Sequence, residues 1–176
     1  MEILEYIETN FNNLIDTECR ETGIGKFKLG NLRDDRFLIV RLERESRNDG
    51  TKCDCIIFSF LNENNLFAIS IVELKSPSHS FAHAKSQIES CISFLKDQIF
   101  NILEHRNILR TLDWDFFPIL VSKSFPSRIN NKAILSPKNR INFIGNRESR
   151  IVIKAKYNND DLKKVILNNF RKNLEE

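Results

Sequence analysis

No stretch of this chain stays apolar long enough to cross a membrane, so a spanning protein is not expected. None of the four cysteines, Cys19, Cys53, Cys55 and Cys91, forms a C-x-x-C pair. "CDC" offers two thiolates from one strand, but no second such pair completes a zinc site. The start, "MEILEYIETNF", is acidic and amphipathic, unlike a secretory signal. A cytoplasmic protein with reduced, mostly buried thiols is the expectation. Repeats are absent, and no linker stands out; three of the five glycines fall in "TGIGKFKLGN". One domain over residues 1–176 follows, large enough for a real core.

What is present is ordinary for a globular domain: 41% hydrophobic and 29% charged residues. A net charge of +3 permits a polyanionic partner without requiring one. Ile3, Leu4, Ile7, Phe11, Leu14 and Ile15 share one stripe at helical spacing, predicting a helix over 3–20. "RFLIVRLER", "CDCIIFSFL" and "LFAISIVELK" read as three strands, the last two joined by the turn residues "NENN". A second helix is predicted from 81 to 105, with Phe81, Ala84, Ile88, Cys91, Ile92, Leu95 and Ile99 inward. "FFPILVSK" is a fourth strand, 124–146 a loop and "RIVIKAK" a fifth strand. "NDDLKKVILNNFRK" closes the chain with a capped amphipathic helix. The fold class is mixed α/β: one sheet of four to five strands flanked by helices.

The third strand breaks its own pattern. Ala68, Ile69, Ile71 and Val72 read as core, yet the run ends in Glu73 and Lys75. Residues i and i+2 share a strand face, so a carboxylate and an ammonium lie side by side. A two-residue turn at Glu63-Asn64 makes the numbers of facing residues sum to 127, which sets Asp54 opposite Glu73. Parity adds Ile56, Phe58, Phe60, Phe67, Ile69 and Ile71 to the face of Asp54, Glu73 and Lys75. Opposed like charges are destabilising, and a divalent cation would compensate them, since hard oxygen ligands suit Mg²⁺. The plain alternative is a sheet rim where polar residues reappear and Lys75 neutralises one carboxylate.

"CDCIIF…ISIVELKSPSHSFAHAKSQIESCISFL", about residues 53–95, resembles the core of the PD-(D/E)XK, or restriction-endonuclease-like, nuclease superfamily. The resemblance implies a restriction-endonuclease-like core in α-β-β-β-α-β order. It also implies that Asp54, Glu73 and the Leu74 carbonyl hold Mg²⁺ or Mn²⁺ while Lys75 assists the attacking water. The family often adds a Glu from the first helix. Glu18 lies near the centre of the apolar stripe and Glu21 at its edge, so Glu18 is the choice. Gln87 matches a Gln used by exonuclease-like branches, although the Tyr those branches place one turn later is Cys91 here.

Two groups stay outside this set. His79 and His83 offer metal-ligand chemistry, but His83 lies off the inner stripe and reads as a surface or substrate-contacting residue. Lys123, Arg128, Lys132, Lys138, Arg140, Arg147 and Arg150 flank the last strands, either to contact phosphates or as a solvated loop.

The resemblance implies a metal-dependent hydrolase of phosphodiesters, most simply in DNA, with a place in phage or mobile-element biology. Target choice would fall to loops, dimerisation or a partner protein. Two readings compete: a non-catalytic nucleic-acid-binding module on the same fold, and an immunity- or antitoxin-like interaction domain whose charges form a structural network.

Overall fold

A computed structural model describes residues 2–21, 25–27, 29, 36–42, 53–62, 65–75, 80–101, 113–122, 140–142, 148–150, 152–154 and 162–174. The elements are α1 (Glu2–Asn10), β1 (Ile15–Asp16), β2 (Cys19–Glu21), β3 (Gly25–Phe27), β4 (Arg36–Val40), β5 (Cys55–Leu61) and β6 (Leu66–Lys75). They continue with α2 (Phe81–Leu95), β7 (Asp113–Ser122), β8 (Arg140–Asn142), β9 (Glu148–Arg150), β10 (Val152–Lys154) and α3 (Leu162–Leu174).

The main sheet runs β1-β4-β5-β6-β7-β10. Its first four strands pair antiparallel, while β6, β7 and β10 pair parallel. Parallel neighbours need a crossover, and α2 lies on the one between β6 and β7. Mixed α/β is therefore the architecture, and the sheet gains an edge strand that the sequence does not announce, the two-residue β1.

Strand β6 is buried along its whole length, because both faces are covered. Ile56, Phe58, Phe67, Ile69 and Ile71 meet Ala84, Ile88 and Ile92 of α2 and Ile3 and Ile7 of α1 in one core. The opposite face, with Ile57, Leu66, Ala68, Val72 and Leu74, meets Leu162, Val165 and Ile166 of α3 and Phe27 of β3. Ser80 starts α2, its hydroxyl accepting the His83 backbone N–H at 3.2 Å. Beyond Leu95 the helix widens into a π-helical turn over Lys96–Phe100, and the rest of the helix predicted to residue 105 lies outside the described residues apart from Asn101.

The first helix is shorter than its periodicity predicts. It ends at Asn10, and a 3₁₀ turn over Asn12–Leu14 leads into β1 and β2. Asparagine competes with the helical backbone, and this stretch holds three, at 10, 12 and 13. Asp16 then turns the chain, its Oδ1 accepting the Thr17 N–H at 2.6 Å. The apolar stripe was therefore real only through Ile7; Leu14 is buried from a different element. Similarly, β8 falls inside the predicted loop 124–146 and pairs with β9 beyond it, Arg140 opposite Arg150.

The cysteines are not reduced thiols. Cys19 is bonded to Cys55 and Cys53 to Cys91, with Cα separations of 5.9 and 6.0 Å. Spacing along the chain gave no sign of this, since partners 36 and 38 residues apart meet only once the layers stack. Among the described residues no helix is long and apolar enough to cross a membrane.

Candidate functional site

The hairpin sets the site. Pairs run from Cys55 with Val72 to Leu61 with Leu66, the register expected from the turn. Asn65 closes the turn in the left-handed region, φ 49°, its N–H donating to the Asn62 carbonyl at 3.3 Å. Asparagine tolerates that conformation better than most residues do.

Extending the register sets Asp54 beside Glu73, but the ladder stops one pair short, at Cys55 and Val72. Asp54 sits in a bend, and its Oδ2 accepts the Leu74 backbone N–H at 2.5 Å. The carboxylate thus replaces a strand's carbonyl at the end of β5 and occupies the gap beside Glu73-Leu74-Lys75.

Glu73 and Lys75 are in direct contact through Oε1 and Nζ. Their depth differs from the expectation. An open strand end would leave the ammonium in water, whereas the Glu73 side chain is 0% exposed and that of Lys75 9%. Burying one charge is costly, and the partner two residues on compensates it. Gln87 is also buried, on the side of α2 that faces the sheet. Asp54, Glu73, Lys75 and Gln87 make up more than half of the buried polar and charged residues among those described.

Glu18 does not come from a helix. It lies between β1 and β2, 36% exposed at its side chain, with Oε2 3.7 Å from Arg20 Nη1. The stripe argument that favoured it fails because α1 has already ended. Its neighbour Cys19 nonetheless reaches Cys55, so this segment is tied to the residue after Asp54. Glu21 belongs to β2, and its side chain lies outside the described residues, as do His79, Lys123, Arg128, Lys132, Lys138 and Arg147. His83 is exposed on α2.

A second, part-buried ion pair joins Arg41 to Asp16. Arg41 Nη1 meets Asp16 Oδ2 at 3.2 Å, and Nη2 donates to the Arg20 carbonyl at 2.9 Å. An arginine inside "LIVRL" was the available signal, because a strand core admits such a charge only with a partner.

As a cation site the set is small but chemically suited. Mg²⁺ needs one or two carboxylates and fills its remaining positions with water or substrate phosphate. Asp54 and Glu73 would supply the carboxylates there, and the Leu74 carbonyl would be a third hard oxygen. No group of three or more His, Cys, Asp or Glu gathers among the described residues. The chain matches no protein-family model, no curated protein and no solved structure.

Asp54→Asn is expected to leave the cation-free protein within about 1 kcal/mol of wild type, since the amide oxygen still accepts the Leu74 N–H. Asp54→Ala removes that acceptor and should cost about 1–3 kcal/mol. Urea unfolding of both variants checks the order; equal costs would mean that the carboxylate's bond to Leu74 contributes little.

Proposed function

We propose that this domain is a Mg²⁺- or Mn²⁺-dependent nuclease of the PD-(D/E)XK type that hydrolyses phosphodiester bonds, in DNA by preference. The observation that carries the reading is the hairpin register. It brings Asp54 to the gap beside Glu73-Leu74-Lys75, so that two carboxylates, a backbone carbonyl and an ammonium lie together at one end of the sheet.

Bound there, the cation would acidify a water molecule and offset the charge that develops on the phosphate oxygens. Asp54 and Glu73 would hold it, with the Leu74 carbonyl as the neutral ligand. Lys75, anchored on Glu73, would orient the attacking water or the scissile phosphate by donating to it. Gln87 would support this from α2, and Glu18 would join only if substrate or cation drew it away from Arg20.

The proposed compartment is the cytoplasm, and the proposed setting is phage or mobile-element biology. Bridges in a reducing compartment are usually redox-responsive, so the two disulfides bear directly on that choice. Loops, a second copy or a partner protein would supply target choice.

A second reading draws on the depth of the Glu73–Lys75 pair. A fully buried carboxylate held by its own ammonium is also what a structural ion network in a binding or interaction domain would contain.

Incubation with plasmid DNA, single-stranded DNA and RNA separates the two readings. The nuclease reading expects cleavage with Mg²⁺ or Mn²⁺ and none after EDTA. Full-length substrate in every condition, with the fold intact, would favour the network.

A further inference from the structure

The two disulfides flank Asp54 and pull in opposite directions. Cys55 is bonded to Cys19, in the core on the α3 side, whereas Cys53 is bonded to Cys91 on α2. The two bridges do unequal work. Cys55 is already fixed by its ladder pairing with Val72. Cys53 and Asp54 lie outside the ladder, so the bridge to α2 holds what the sheet does not.

A hydrogen bond strengthens that anchor: the Cys53 backbone N–H donates to Cys91 Sγ at 2.9 Å. Cys91 stands four residues after Gln87 on the same buried face of α2. One bond therefore joins the bend that carries Asp54 to the helix that carries Gln87. With its backbone held from both sides, the Asp54 carboxylate reaches the Leu74 N–H at 2.5 Å despite the like charge of Glu73 nearby.

We infer that the Cys53–Cys91 disulfide is a positioning device for Asp54, and that the cation site is tight only in the oxidised protein. This rests on the cation site proposed above. A dithiol supplies two electrons and two protons to the S–S bond; Cys53 and Cys91 become thiols, and the dithiol becomes a disulfide. The bend is then held by Asp54's own hydrogen bond, and the carboxylate spends less time at the ligand position. Both sulfurs belong to fully buried residues, so reduction waits on local opening and the oxidised state persists once formed.

The test uses Mn²⁺ alone as the probe and two variants, Cys53→Ala/Cys91→Ala and Cys19→Ala/Cys55→Ala. Calorimetry on oxidised protein is expected to show Mn²⁺ affinity about tenfold weaker in the first variant, the usual loss when a support of a metal ligand is removed. The second variant stays near wild type, and loses a similar factor only when a dithiol reduces its remaining bridge. Hydrogen exchange at the Leu74 amide reports on Asp54 without any cation and should quicken more in the first variant than in the second, whose loss of global stability is similar. Equal affinity and equal exchange across both variants would overturn the inference, as would four free thiols in native wild type. If the first variant fails to fold, oxidised and reduced forms of the second give the same comparison. Should no form bind Mn²⁺, the cation site itself fails, and the Leu74 amide still decides whether the bridge positions Asp54.

Discussion

Lys75→Met is expected to destabilise the cation-free protein by about 3–5 kcal/mol, the cost of leaving a buried charge without its partner. The side chain it abandons, Glu73, is fully buried and touches the Lys75 ammonium directly. Methionine keeps most of the volume, so a cavity contributes little and the loss reads the charge. In melting temperature the loss corresponds to roughly 6–20 °C for a chain of this size. The double variant Glu73→Gln/Lys75→Met should recover most of it, because replacing both members of a buried pair is often close to neutral. A Lys75→Met protein that melts with wild type would mean that Glu73 is stabilised by something other than this ammonium. The sequence alone suggests the opposite result, since an ammonium at an open strand end would contribute chemistry and little stability.

Removing either bridge as a Cys→Ala pair should lower unfolding stability by about 4 kcal/mol in the chain-entropy account of disulfides. The loops closed are similar, with sequence separations of 36 and 38, so the two losses should be alike. Each corresponds to a melting shift of about 8–16 °C. The bridges join different layers: Cys53–Cys91 ties the start of the hairpin to α2, and Cys19–Cys55 ties β5 to the small β2–β3 sheet. Cys53 and Cys55 stand two residues apart, with Cys53 Sγ 3.7 Å from the Cys55 carbonyl, so the losses should couple and not simply add in the quadruple variant. Melting curves of the three variants in non-reducing buffer check this; coincidence with wild type would show that the sulfurs meet without contributing stability. A large, dithiol-sensitive loss would also argue against long residence in a reducing cytoplasm.

Much of the hairpin was legible because its rules are local. The turn "NENN" fixes a register, the register fixes parity, and parity fixes which side chains share a face. Strand β6 falls on the quoted run from Leu66 to Lys75, and the inward positions of α2 follow from spacing. The errors come from long-range closure. Leu14 and Ile15 continue the α1 stripe numerically, but asparagines at 12 and 13 and the turn at Asp16 divert the chain into β1, where Ile15 pairs with Val40. That diversion removes the helical basis for Glu18. Cysteine partners and the depth of Lys75 depend on what covers each face, which no short window of sequence reports. In the candidate site Glu73 touches Lys75 and Asp54 accepts from Leu74, while Gln87 shares their burial from α2.

Whether Asp54 and Glu73 hold a divalent cation is tested most directly by a melting series in Mg²⁺. A ligand that binds only the folded state stabilises it by RT ln(1 + [L]/Kd), roughly 1.4 kcal/mol at about 10 mM Mg²⁺ with a Kd near ~1 mM. At matched ionic strength, wild type should therefore melt about 3–6 °C higher with Mg²⁺ than without. Asp54→Asn should lose most of that shift, since an amide presents no charge to the cation. A wild-type melting temperature unmoved by Mg²⁺, or a shift of the same size in Asp54→Asn, would contradict the account.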